Sequence, residues 1–285
     1  MATGEMDGRR EWGDAGVTAP RMAMADCQQF SWVGITAWID HISSMIPFKP
    51  IADAEPALAH APLLKAALLT IGYIEASGPI GLTPAKAIKR YFVQWAAQEF
   101  AWPGYTAEDL YAVNKVLNEA DFPPLVVLHD VLIAAKLARY YKGAMRLTAL
   151  AKALKAKPAE LWALLANTLL CTLDHSRYTR DGDTLVGNWD IFLNIINVEA
   201  QIAVTEERLC AVLFGVREED VWRSEYRLAA AFHIHVLRPL CWLGLLDEHK
   251  TGKGLKTQAL FSKAPLWPVA LALEMDHILR LPTRH

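Results

Sequence analysis

Apolar residues recur at helical spacing along most of the chain, and the breaks fall at glycines, prolines and hydroxyl-bearing caps. In QFSWVGITAWIDHISSMI (29–46), Trp32, Ile35, Ile39 and Ile42 share one face and predict an amphipathic helix. PFKPIADAEPALAHAP then brings four prolines and predicts a linker. LLKAALLTIGYIEASG (63–78) predicts a helix closed by Gly78, and PIGLT a short extended piece. Thr83 followed by Pro84 predicts the capped start of a helix through PAKAIKRYFVQWAAQEF. Thr106 opens another over TAEDLYAVNKVLNEADF, stopped before Pro123, and LVVLHDVLIAAKLA (125–138) is an apolar helix. ARYYKGAMRLT predicts a hairpin turning at Gly143, and ALAKALKAKPAELWALLANTLL is helical with a break at Pro158.

Residues 171–189, CTLDHSRYTRDGDTLVGNW, form a polar junction, after which the order repeats. Helices are predicted over IFLNIINVEAQIAV and, opened by Thr205, over TEERLCAVLFG. A shift of 108 residues then lays Leu132 on Leu240, Leu137 on Leu245, Lys142 on Lys250 and Leu147 on Leu255. Each copy has an apolar helix, a polar strand, a Gly/Lys turn and a return strand leading to a Trp-bearing helix (Trp162, Trp267).

Helix, short strand, two helices and a hairpin is the element order of a winged helix. LHDVLIAAKLARYYKGAMRLT and VLRPLCWLGLL resemble segments of winged-helix proteins within the helix-turn-helix superfamily. They are also similar to the C-terminal part of an uncharacterised family of bacterial plasmid and mobile-element proteins. The resemblance spans roughly residues 61–270; it implies a fold, and for biology an accessory or regulator of a mobile element, but no activity. The expected fold class is mainly α with small β-hairpins: two winged-helix-like units with an N-terminal helical arm. The expected divisions are a flexible tail (1–28), N-terminal helix and linker (29–60), first unit (61–170), junction (171–189) and second unit (190–285).

Composition narrows the function classes. The chain has 285 residues, 53% hydrophobic and 21% charged, ordinary for a globular protein, with net charge −2. Any attraction to nucleic acid must therefore be local. Cys27, Cys171, Cys210 and Cys241 lack CxxC spacing, so a reducing cytoplasm is expected. No apolar segment follows Arg9 and Arg10, so no secretory leader is expected, and no apolar run is long enough to span a membrane.

Lys136, Arg139, Lys142, Arg146, Lys152, Lys155 and Lys157 fall within 22 residues that contain no acid. Lys250, Lys253, Lys256 and Lys263 surround the second hairpin. Such cations can neutralise phosphates, and Tyr140 and Tyr141 can stack on bases or donate to phosphate. The competing reading is that the lysines keep an exposed hairpin soluble and block edge pairing. The candidate contacts are Lys136, Arg139, Tyr140, Lys142, Arg146, Lys152, Lys250, Lys253 and Lys256. A groove-reading helix needs polar side chains, and the helix before the first hairpin offers only His129, Asp130 and Lys136, with His129 and Lys136 on one stripe. Expected binding to DNA or RNA is thus to backbone or shape.

Catalytic and metal signals are poor. His233 and His235 stand two apart, on roughly opposite helical faces; Cys171 and His175 form a weak candidate dyad beside Asp174. GLLDEHKT carries His249 where a phosphate-binding loop needs glycine. No enzyme, cofactor or metal is expected. Trp95, Trp162, Trp242 and Trp267 are expected in the core, while Trp32 and Trp38 suit self-docking or a homodimer through the N-terminal helix. The alternative function is a protein-interaction scaffold with structural winged helices.

Overall fold

Helix α1 (Pro62–Ser77) opens the first half with Pro62, whose missing N–H costs nothing at a first helical position. It buries Leu63, Leu64, Ala67, Ile71 and Ile74, and Gly78 stops it at φ 89. The computed structural model describes residues 46–279, apart from 181, 184, 186 and 252–257. The N-terminal arm, with Trp32 and Trp38, lies outside the described residues. Strand β1 (Ile80–Gly81) follows.

The chain then departs from expectation. Helix α2 runs over Arg90–Glu99 and starts six residues after Pro84. Thr83 closes a loop instead: its Oγ1 accepts from Ala87 N at 3.1 Å, and Leu82 bridges to Ile88. The physical cause is tertiary. Leu82 and Ile88 are both buried, and the Glu119 carboxylate accepts from Ile88 N at 2.6 Å, which holds the loop against a distant segment.

Helix α3 (Ala107–Val113) has the expected Thr106 cap, with Asp109 completing a reciprocal capping box. It ends at Asn114, short of the expected length, because buried Leu117 draws the chain inward and a 3-10 turn occupies Glu119–Asp121. Helix α4 (Pro123–Ala134) leads into β2 (Ala138–Tyr141) and β3 (Ala144–Leu147). Lys142 and Gly143 join these strands, both at positive φ (47° and 71°), as the right-handed twist of a two-residue hairpin requires. Thr148 caps α5 (Ala149–Leu154), and Pro158 begins α6 (Pro158–Asn167), which widens into a π turn over Thr168–Thr172.

The second half comprises α7 (Trp189–Glu199), β4 (Val204–Thr205), α8 (Glu206–Phe214) and α9 (Tyr226–Phe232). A π turn (His233–Leu237) joins α9 to α10 (Arg238–Trp242). Then come β5 (Leu246–Thr251), β6 (Gln258–Lys263), α11 (Leu266–Ala270) and α12 (Asp276–Leu279). The protein is mainly helical, with two small antiparallel sheets ordered β1-β3-β2 and β4-β6-β5.

The repeat is visible in hydrogen bonds. Leu137 N donates to Leu132 O at 2.9 Å, and Leu245 N to Leu240 O at 2.9 Å, a step of 108. The return strands step differently: Met145 faces Ile80 and Phe261 faces Val204, from 145 to 261 being 116. The second hairpin is therefore eight residues longer. Leu147 corresponds to Lys263, not to Leu255, which lies outside the described residues. Trp162 and Trp267 are not equivalent either; a step of 116 brings Ala151 onto Trp267. Both tryptophans are nonetheless in the core, with Trp242, while half-buried Trp95 packs against Tyr73, Phe92 and Phe100.

The described residues form one packed unit. Trp102 meets Trp242 edge to face at 5.5 Å, and Trp162 Nε1 donates to Leu243 O at 2.9 Å. The proline-rich stretch joins this core: Phe48 bridges to Leu271, Lys49 N donates to Ala270 O at 2.7 Å, and Leu58 and Ala61 are buried. No helix among the described residues is long and apolar enough to cross a membrane.

Glu206 opens α8 with its side chain nearly enclosed and one carboxylate oxygen without a partner. Burial pushes its carboxyl above the ordinary value of 4.5, partly offset by His233 at 3.4 Å. The folded state then holds this proton more tightly than the unfolded chain. The group's contribution to stability is complete below pH 4.5 and is lost as pH rises through the raised folded value. Glu206→Gln is expected to be more stable than the wild type near pH 8, with the gap closing toward pH 4, in urea titrations. A gap independent of pH would reject this.

Candidate nucleic-acid interface

The first hairpin exposes one face of alternating residues. Arg139 and Tyr141 lie two apart on β2, and Arg146 stands directly across from Arg139 on β3. Two like charges in opposed positions repel. The ring of Tyr141 moderates this by receiving three cations: Arg146 at 4.8 Å, Lys142 at 5.4 Å and Arg139 at 5.9 Å. Among the described residues, the ion pairs of the first half are Lys155–Glu75, Lys157–Glu160 and Arg177–Asp130, and Glu119 is bonded to His129. None of them neutralises the hairpin.

Tyr140 is tied to the fold through its hydroxyl. It is 40% exposed, but its hydroxyl donates to His129 Nε2 at 3.1 Å, and Lys86 lies over its ring at 5.4 Å. Burial raises its pKa, with Asp130 adding to the effect. The outward-facing ring is Tyr141. Lys136 is exposed at φ 56, in the left-handed region just past α4, and Lys152 is exposed on α5.

Among the described residues, the second hairpin shows no matching cluster. Lys250 lies 3.7 Å from Glu248 on its own strand, and Lys263 donates to Asn197 O and Oδ1 at 3.0 and 3.1 Å. Lys253 and Lys256 lie outside the described residues.

The stripe of His129 and Lys136 on α4 does not form. His129 is buried, its Nδ1 donating to Glu119 Oε1 at 2.6 Å, and Lys136 has left the helix. The remaining polar side chain, Asp130, accepts from the Tyr178 hydroxyl at 2.7 Å and lies 3.8 Å from Arg177. Helix α4 is thus covered by α1 on one side and by the 168–178 stretch on another. The Glu119–His129–Tyr140 chain escaped sequence reading; its only trace was one histidine in an apolar run, ten residues after an acid.

The weaker chemical candidates have different neighbours. Burial raises the Cys171 thiol, which disfavours the thiolate a nucleophile needs, and His175 Nε2 donates to Leu169 O at 2.6 Å. His233 approaches Glu206, whereas His235 lies against the His175 ring at 5.8 Å. No group of three or more potential metal ligands occurs among the described residues.

Two family models match the chain: the Y4jL N-terminal domain over residues 59–160 and the y4jL C-terminal domain over residues 179–265. The gap between them holds the turn and junction that cover α4. No solved structure matches. A relative named "Uncharacterized protein y4jL", from Sinorhizobium fredii (strain NBRC 101917 / NGR234), is 38% identical over 176 residues, covering 60% of this chain and 78% of the relative. With both domain models matched in order and most of that relative covered, the chain belongs to the y4jL family.

Proposed function

We propose that both halves are winged helices and that the protein grips nucleic-acid phosphates, without reading bases, through the first wing. The strand orders β1-β3-β2 and β4-β6-β5, each following a helix and closing on a hairpin, support the fold reading. The observation that carries the function is the group of three cations around Tyr141 with no carboxylate partner among the described residues. A phosphate track would relieve the repulsion between Arg139 and Arg146 and release counterions. The covered α4 supports backbone contact over base readout. The setting we assign, accessory or regulator of a mobile element, rests on the resemblance of the wing segments alone.

Binding to random duplex DNA, single strands and RNA, measured by fluorescence anisotropy over a salt series, tests this. Lys142→Glu combined with Arg146→Glu should lower the slope of log affinity against log salt by about 2 on duplex DNA, near 0.9 per lost contact. An unchanged slope rejects the wing. Absence of binding even at low salt favours a second reading, supported by the covered helices, in which the protein is an interaction scaffold and its wings are merely solvated.

A further inference from the structure

Arg238 is the second half's counterpart of Asp130, 108 residues on. In the first half that position is satisfied by Tyr178 and Arg177. In the second half it is not. The Arg238 Nε is buried without a hydrogen-bond partner, and the guanidinium rests on the Trp242 ring at 4.9 Å. No carboxylate forms an ion pair with it among the described residues, although a guanidinium carries five donors that suit a planar anion. Desolvation lowers its pKa, as expected of a cation sunk in protein without a counter-charge. The residue is half-buried as a whole, but an enclosed guanidinium N–H without a partner is costly.

The surroundings fit a ligand. Arg238 lines a cavity of about 590 Å³, within the usual range for small-molecule sites. Trp102, Tyr105 and Trp242 supply flat apolar walls, and Asp247 and Glu248 also line the cavity. The π turn over His233–Leu237 ends immediately before Arg238. Pro239 lacks the N–H that a regular helix would give to His235 O, and this wider turn resets the direction of the helix just where the guanidinium leaves it. Such turns are frequent at functional sites.

We propose that this cavity binds a small aromatic carboxylate, with Arg238 pairing to the carboxylate through its two-pronged edge and the tryptophan walls holding the ring. A carboxylate monoanion is favoured over a phosphate dianion because Asp247 and Glu248 line the cavity as well, offsetting Lys250 and leaving the charge of Arg238 to be matched by one negative charge. The site shares no residue with the first wing, so it stands or falls separately from the nucleic-acid reading.

The test uses the full chain, with thermal melting and tryptophan emission followed during titration with phenylacetate and indole-3-carboxylate. Neutral 2-phenylethanol and inorganic phosphate serve as comparison probes. A saturable rise in Tm with either carboxylate, absent with 2-phenylethanol, is expected. Arg238→Met should abolish it while matching or exceeding the wild type's Tm without ligand, since an unpaired buried charge is removed. Arg238→Lys keeps the charge but loses the fork, and should weaken binding at least about tenfold. The proposal is overturned if neither carboxylate shifts Tm, if phosphate alone does, or if Arg238→Lys binds at full strength. A large loss of unliganded stability in Arg238→Met would overturn it too, by revealing a charge that is already paired.

Discussion

Gly244→Ala is expected to lower the stability of the folded chain by roughly 3 kcal/mol, measured by urea denaturation. Gly244 sits at φ 72 in the turn between α10 and β5, where an alanine pays the left-handed penalty of about 1–2 kcal/mol. The larger cost is steric. A Cβ there would stand 2.6 Å from His60 O, 2.7 Å from His60 C and 2.8 Å from Ala61 Cα. These are backbone atoms, and no rotamer change can relieve the overlap. The contact lies where the second half rests on the chain entering α1, next to the Trp162–Leu243 hydrogen bond. The molecule contains its own control. Lys136 occupies the same turn of the first half at φ 56, with its side chain in solvent. Lys136→Gly should therefore change stability by no more than about 1 kcal/mol. If Gly244→Ala costs no more than the left-handed penalty alone, the seat on His60 is not what fixes the two halves together.

Gly244 and Lys136 also mark how far the sequence could be read. The corner between helix and outgoing strand is built from local signals: an apolar helix end, one left-handed residue and a leucine that bonds back to the helix. Its recurrence at a step of 108 was legible because those signals repeat in text. The openings at Thr106 and Thr205 and the turn at Gly143 are local in the same sense. What was not legible depends on distant partners. Thr83–Pro84 carries a good helix-start signature, yet Leu82, Ile88 and Glu119 hold residues 82–89 as a loop. The longer second wing hid the register of its return strand, since a fixed shift cannot follow an insertion. Helical spacing placed His129 and Lys136 on one stripe, but a helix apolar all round gives no sign of which face is covered. Arg238 read as a lone polar residue in VLRPLCWLGLL; only the fold reveals that its first-half counterpart has hydrogen-bond and ion-pair partners while its own Nε is enclosed without one.

Glu119→Ala is expected to cost about 3 kcal/mol of stability, because it leaves two buried N–H donors, on Ile88 and on His129, without a partner at roughly 1–3 kcal/mol each. The carboxylate is 7% exposed and spends both oxygens on the fold: Oε2 accepts from Ile88 N and Oε1 from His129 Nδ1, each at 2.6 Å. Its removal orphans a backbone donor and a buried imidazole together. It also frees the imidazole whose other nitrogen receives the Tyr140 hydroxyl, so the loop before α2, helix α4 and the first wing lose a common tie. Tyr140→Phe removes only the last link and should cost nearer 1 kcal/mol, because that hydroxyl is partly open to water. The double variant Glu119→Leu with His129→Phe replaces the pair by apolar groups of similar size. It should recover most of the loss, since no donor is then left buried at position 129. The Ile88 N–H remains without a partner and the Tyr140 hydroxyl is left to water, and together they should set the residual deficit. A double variant no more stable than Glu119→Ala would mean that the carboxylate acts through Ile88 alone and that His129 is a passenger in the chain. Recovery would instead place the histidine at the centre of the tie, and the wing's orientation, with the cations it carries, would depend on a pair of residues buried beneath it.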